Sequence, residues 1–292
     1  LHLLPGDGGE VGQALVAHSG CDGVAFTGGT DTAWAINRTL AARQGPIVPF
    51  IAETGGLNAM FVDTTALREQ VIDDVLLSGF GSAGQRCSAL RILFLPHDTA
   101  DGLIEALSGA MRTLVVGDPA DPRTDVGPVI DAEACAALEA HVRRLEAEAK
   151  VIQRLGAPDG GHFFTPTLAE IPDAGFLGRE VFGPILHVVR YDPARLDEAA
   201  APLVQARYGL TLGVHSRIEG FAEAVQRAVP AGNAYVNRSM IGAVVGVQPF
   251  GGEGLSGTGP KAGGPLYLLR LLRRAPPLAA RLAVARNALA TT

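Results

Sequence analysis

Ile47-Val48-Pro49-Phe50-Ile51-Ala52-Glu53-Thr54-Gly55-Gly56 decides the reading of this chain. Residues 47–52 form an apolar run broken only by Pro49, which predicts a strand. The run ends in one acid followed by two glycines. In open α/β sheets, ligands enter at the carboxyl ends of strands. Partial burial there raises a carboxyl's proton affinity toward that of a useful general base. The bland alternative for Glu53 is a surface acid in a turn.

The elements on either side alternate. Upstream, residues 12–18 predict a short helix, 23–26 a strand and 31–43 a helix with Asp31 near its start. Downstream, Leu67, Val71 and Val75 at spacing four predict a helix over 66–81. A small-residue turn follows, Ser82-Ala83-Gly84-Gln85-Arg86-Cys87-Ser88, then a continuous apolar strand over 90–95. Thr99 is placed to cap a helix reaching 114, and Asp131 to cap one reaching 150. Short strands are expected after a Gly-rich turn, and further strands over 186–191, 211–215 and 234–237. A helix is expected over 217–229. Residues 242–264 are dense in glycine and read as one long loop, which is uncommon without a function. Alternating strands and helices predict an α/β fold.

Composition bounds the function. The 292 residues are 47% hydrophobic and 18% charged, with net charge −6, which excludes a disordered chain and argues against a general nucleic-acid binder. No acid follows Glu253, whereas six Lys and Arg lie beyond it, so the end of the chain reads as a basic tail or linker, or a docking segment for an acidic partner or membrane surface. Cys21, Cys87 and Cys135 stand far apart without a CxxC pair, which fits a reducing compartment and neither a disulfide framework nor a zinc cluster. The seven histidines show no metal-ligand spacing. Leu1 is not Met, and the chain is expected to be part of a longer one.

Among chemical candidates, Cys87 stands first. Small neighbours let a substrate approach its sulfur, and the adjacent Arg86 is expected to favour thiolate. The competing reading is a small buried hydrophobe, which also serves for Cys21 and Cys135. Thr27-Gly28-Gly29-Thr30 ahead of a helix places backbone amides where a phosphate would bind.

Taken together, these motifs resemble the aldehyde dehydrogenase superfamily. Ala52-Glu53-Thr54-Gly55-Gly56 and Gly84-Gln85-Arg86-Cys87 match its two signatures, with Glu53 and Cys87 34 residues apart. Phe26-Thr27-Gly28-Gly29-Thr30, Glu180-Val181-Phe182-Gly183-Pro184 and Pro249-Phe250-Gly251-Gly252 are similar to three further elements, in the same order. Residues 36–43, 51–56, 82–91 and 242–265 look more specifically like the glutamate-semialdehyde dehydrogenase domain of bacterial bifunctional proline-catabolic enzymes. The resemblance implies an aldehyde dehydrogenase fold with an N-terminally incomplete Rossmann-like NAD-binding segment (1–53) and an α/β catalytic domain (54–245). A return segment (246–270) and a tail (271–292) would follow.

The resemblance also implies Cys87 as nucleophile and Glu53 as the base that activates water. It places Thr27, Gly28, Gly29, Thr54, Glu180 and Phe182 around NAD. Ser88, Gly242, Ala243 and Phe250 would surround the substrate. No metal and no FAD are implied. The family's oxyanion Asn and adenosine-ribose Lys would lie upstream of Leu1. Expected partners are an aldehyde, a second copy of the chain and a proline dehydrogenase domain in the same polypeptide, in the cytoplasm or at the inner face of the membrane. Rival readings are a dehydrogenase for another aldehyde and an inert dimerisation module.

Overall fold

The computed structural model describes residues 1–272, so the expected basic tail lies almost wholly outside the described residues. Helix α1 (Gln13–Ala17) precedes β1 (Val24–Thr27), and α2 (Thr30–Ala42) crosses to β2 (Phe50–Glu53). The two strands pair in parallel, with Thr27 opposite Glu53. Strand β2 is shorter than the run 47–52 predicts. Pro49 has no N–H to give a ladder, only its carbonyl, which accepts from the Val24 amide at 3.0 Å. Ile47, ahead of it, is fully exposed.

The second unit begins with β3 (Ala59–Val62), α3 (Arg68–Phe80), β4 (Ile92–Pro96), α4 (His97–Met111) and α5 (Ala132–Glu148). Next come β5 (Lys150–Arg154), β6 (Thr167–Glu170), β7 (Ile185–Tyr191), α6 (Leu196–Ala206), β8 (Tyr208–Gly209), β9 (Thr211–His215) and α7 (Glu219–Ala228). Strands β10 (Asn233–Val236) and β11 (Glu253–Gly254) and helix α8 (Tyr267–Leu271) close the described chain. Seven strands form one sheet in the order β10-β9-β3-β4-β7-β6-β5, parallel except where β5 runs against β6. The core lies on both faces of this sheet. Phe61 on β3 stacks on Phe94 of β4 at 4.2 Å, and Tyr191 meets both rings edge-on while its hydroxyl donates to the Val62 carbonyl. That hydroxyl is buried with its partner, so burying the ring leaves no polar group unmatched.

Local chemistry explains the element ends. Asp131 accepts from the Ala134 amide and caps α5, whose Leu138, Val142 and Leu145 bury one stripe. The expected Thr99 cap is incorrect: α4 starts two residues earlier, directly after Pro96, and the Thr99 hydroxyl has no partner among the described residues. The sequence reading assigns nothing to β3 or α6. Four residues are too few to show a period, and Pro202 inside α6 reads as a breaker. The expected 242–264 loop contains a short antiparallel pairing, because β11 lies against β8.

Topology places the site. The segments leaving β1 and β2 at their carboxyl ends, and those entering β4 and β7 at their amino ends, line a common cleft of about 1390 Å³.

Candidate active site

The turn that leads to Cys87 is a constrained stretch of backbone. Ser82, Ala83 and Gly84 have φ of +56°, +53° and +64°, three successive left-handed residues. For the two non-glycines this costs about 1–2 kcal/mol each. At Gly84 a Cβ would lie 2.2 Å from the Gly183 carbonyl oxygen, so only glycine fits. The turn puts Cys87, half-buried, into the cleft.

Two buried side chains hold that turn in place, and the sequence reading missed both. Asn58 donates to the carbonyls of Cys87 at 2.6 Å and Ala89 at 2.9 Å, while its own oxygen accepts from the Thr211 amide. Arg91, fully buried, reaches the carbonyls of Gly84 and Arg86 and the carboxylate of Glu180. The expected apolar strand over 90–95 hides Arg91; the strand itself starts at Ile92. A charged residue opening an apolar run was the available signal, since such a group is buried only when paired.

The expected role of Arg86 is corrected. Its guanidinium turns back to the Ser82 hydroxyl at 2.9 Å. Burial pushes the Cys87 thiol up, Glu180 and Glu53 push it further, and the amides of Ser88 and Cys87 itself oppose them. The resting group is therefore a thiol, with two backbone donors poised for the thiolate.

Glu53 ends β2 with one carboxylate oxygen accepting from the Gly252 amide and the other buried without a partner among the described residues. Burial raises its pKa to about 7, against the pull of Gly252 and Lys261. Glycines at 251 and 257 make room for it, since a Cβ at either would sit 3.0–3.1 Å from its carboxylate. Thr258 and Ser256 tie the C-terminal Gly-rich segment to β2 through Ala52 and Thr54.

Glu180 is turned inward. Arg91 and the Gly56 amide engage its carboxylate, and a Cβ at residue 55 would lie 1.5 Å from its oxygen, so the bare backbone of Gly55 leaves the room into which the carboxylate turns. Phe182 lies in the cleft with the Arg91 guanidinium 5.2 Å from its ring centre. The Thr54 hydroxyl is spent on the Leu255 carbonyl. Thr27, Gly28 and Gly29 line the cleft ahead of α2, whose N-cap Gly29 has no side-chain cap. The first amides of α2 are thus open to an anion, although Asp31 in that turn opposes one. Trp34, unremarked in the sequence and half-exposed on α2, lines the same wall.

Ser88, Ala243 and Phe250 line the cleft as well, joined by Ile241. Gly242 does not line it; a Cβ there would meet the Arg238 guanidinium at 2.3 Å. Among the described residues, neither the Gly242 nor the Ala243 amide has a partner. His187, fully buried on β7, touches the Arg91 carbonyl through Nδ1 and the His141 ring through Nε2, at 2.9 Å each. A carbonyl only accepts, so His187 donates from Nδ1 and accepts at Nε2 from His141. Burial holds both rings neutral, with pKa values of about 3 and about 4.

A thiol and a carboxylate of raised proton affinity facing one cleft can form a thioester and then hydrolyse it. Joined to an anion-receptive helix start in an α/β frame, they make a site suited to covalent thiol chemistry beside a bound anion. The sequence profile of the aldehyde dehydrogenase family matches residues 1–274, and the chain belongs to that family.

The "Bifunctional protein PutA" of Salmonella typhimurium is 51% identical over 95% of the chain, which spans 22% of that relative's length. A crystal structure of bifunctional proline utilization A superposes with a TM-score of 0.88 at 59% identity, over 90% of this chain and 27% of that one. The 1-pyrroline-5-carboxylate dehydrogenase from Thermus with bound NAD superposes at 0.86 and 35%, over 92% and 53%. The chain therefore spans about a quarter of the length of the bifunctional relatives. Among the described residues no cluster is suited to a metal, and no helix is long and apolar enough to cross a membrane.

Proposed function

We propose that this chain supplies the thiol chemistry of an NAD-dependent dehydrogenase that oxidises L-glutamate γ-semialdehyde to L-glutamate in proline catabolism. The observation that carries the reading is the convergence of Cys87 and Glu53 on one cleft with Ser88 and Ala243. In mechanism, the Cys87 thiol releases its proton to water in the cleft, the thiolate sulfur bonds to the aldehyde carbon, and the carbonyl π pair moves onto oxygen, which becomes an oxyanion. NAD, when bound, accepts the hydride that leaves this carbon, and the sulfur is left in a thioester. Glu53 then takes a proton from water as the water oxygen bonds to the acyl carbon. The carbon–sulfur bond breaks, and acid and thiol separate. The open amides of α2, with Gly28 and Gly29, fit the pyrophosphate of NAD, and Glu180 and Phe182 fit its nicotinamide half. In this reading the chain works in the cytoplasm within a homo-oligomer, joined to a proline dehydrogenase domain in the same polypeptide.

The substrate's far end is a carboxylate. Two successive free amides at Gly242 and Ala243 can form an anion nest, with Arg238 adding positive charge beside Gly242. Hydrogen bonds to a charged group contribute about 1.5–3 kcal/mol each, so the pair gives roughly 10²–10⁴-fold discrimination over an uncharged aldehyde. Ala243→Pro removes one amide without adding charge. In the intact protein it is expected to raise KM for glutamate semialdehyde far more than KM for a simple aliphatic aldehyde, with NAD affinity unchanged. Steady-state kinetics on both aldehydes check this. Equal loss on both favours the rival reading, a dehydrogenase for another aldehyde.

A further inference from the structure

We propose that Arg91 is the positioning residue of the nucleophile: its single guanidinium fastens the left-handed Ser82–Gly84 turn to Glu180, so that the Cys87 sulfur and the carboxylate across the cleft are held as one unit. The inference rests on the functional reading of Cys87 given above.

The geometry is a convergence of negative ends that no uncharged group would hold. The Gly84 and Gly183 backbones pack so closely that both carbonyl oxygens fall on one guanidinium nitrogen, at 2.7 Å and 3.3 Å. The second terminal nitrogen donates to the Arg86 carbonyl at 3.0 Å and to the Glu180 carboxylate at 2.9 Å, and Nε adds a bond to that same oxygen at 3.2 Å. Three carbonyl dipoles and one carboxylate meet on a guanidinium that is itself fully buried, at the floor of the cleft. Without a cation among them they repel, and the turn, strained at Ser82 and Ala83, has every reason to relax.

A planar fork with fixed donors reaches all four acceptors at once, which a single ammonium does not. Arg91 is itself fixed from behind. Its carbonyl accepts from His187 Nδ1, and its amide donates to the Asn58 carbonyl. The residue thus ties β3, β4 and β7 to the turn between α3 and β4. Cys87 lies one residue beyond the Arg86 carbonyl that Arg91 holds, so any shift in the clamp moves the sulfur.

The test is Arg91→Lys in the intact protein, which keeps the charge and loses the fork. Reactive sites are counted by mass spectrometry of Cys87 alkylated with iodoacetamide. The first-turnover burst of NADH is then measured per counted site at saturating aldehyde and NAD, alongside the melting temperature. A misplacement of about 1 Å costs on the order of 10²-fold in rate, and a burst slowed by about that factor per site is expected.

Ala83→Gly supplies the rescue, because glycine takes a left-handed φ without penalty. Added to Arg91→Lys it is expected to restore about tenfold of the burst. A burst per site unchanged in Arg91→Lys, whatever its melting temperature, overturns the proposal. So does failure of both Arg91→Lys and the double variant to fold, since Arg91 would then serve the core alone. Wild-type protein that alkylates at Cys87 yet gives no burst overturns the functional reading instead. In that case the positioning claim is decided by the alkylation rate constant, expected to be about tenfold lower in Arg91→Lys.

Discussion

Cys87→Ala in the intact protein is expected to abolish aldehyde oxidation, with a loss of at least about 10⁴-fold, while NAD binds as before. The size follows from the absence of a substitute. Cys135 sits on α5 and Cys21 lies ahead of β1, and neither lines the cleft. The cleanness of the result follows from how the turn is held. Asn58 and Arg91 grip the carbonyls of residues 84, 86, 87 and 89, so removing one sulfur leaves the backbone in place. NADH formation and a cofactor titration on the same preparation check it. Oxidation persisting within about 10²-fold of wild type would show that another group attacks the aldehyde.

Glu53→Gln is expected to separate the two halves of the reaction. The burst of NADH survives, and steady-state turnover falls by about 10²–10⁴-fold, the usual worth of a general base. Gln keeps the shape of Glu and still accepts from the Gly252 amide, so the β2 end is preserved. The wild-type pH profile carries the same argument. Glu53 is a base only as carboxylate, and burial raises its pKa to about 7. Steady-state turnover limited by hydrolysis therefore rises with pH through about 7 and levels above it. In Glu53→Gln this limb disappears while the burst changes little. Equal loss of burst and turnover would assign Glu53 an earlier or structural role.

Much of the fold was legible because periodic apolar runs survive in helices long enough to show them. Val71 and Val75 in α3 and the Asp131 cap of α5 are cases in point. Strand β3 was not legible, since its burial comes from neighbours on both sides and four residues carry no period. The site divided along similar lines. Cys87 and Glu53 announce themselves by residue type and by small neighbours. Asn58 and Arg91 act through backbone carbonyls distant in sequence, and no spacing rule records such partners.

Alone, the sequence determined the α/β alternation, the family resemblance and the two candidate reactive side chains, because these depend on residue type, local period and glycine placement. Tertiary structure decided which ends of which strands meet. Glu53 leaves a strand at its carboxyl end, whereas Cys87 and Glu180 precede strands at their amino ends, so the cleft exists only where two sheets face each other. It also decided the charge state of the thiol. The neighbouring Arg86 points away, while two distant carboxylates and burial act on the sulfur. Electrostatics depends on distance and dielectric in space, and adjacency along a chain fixes neither.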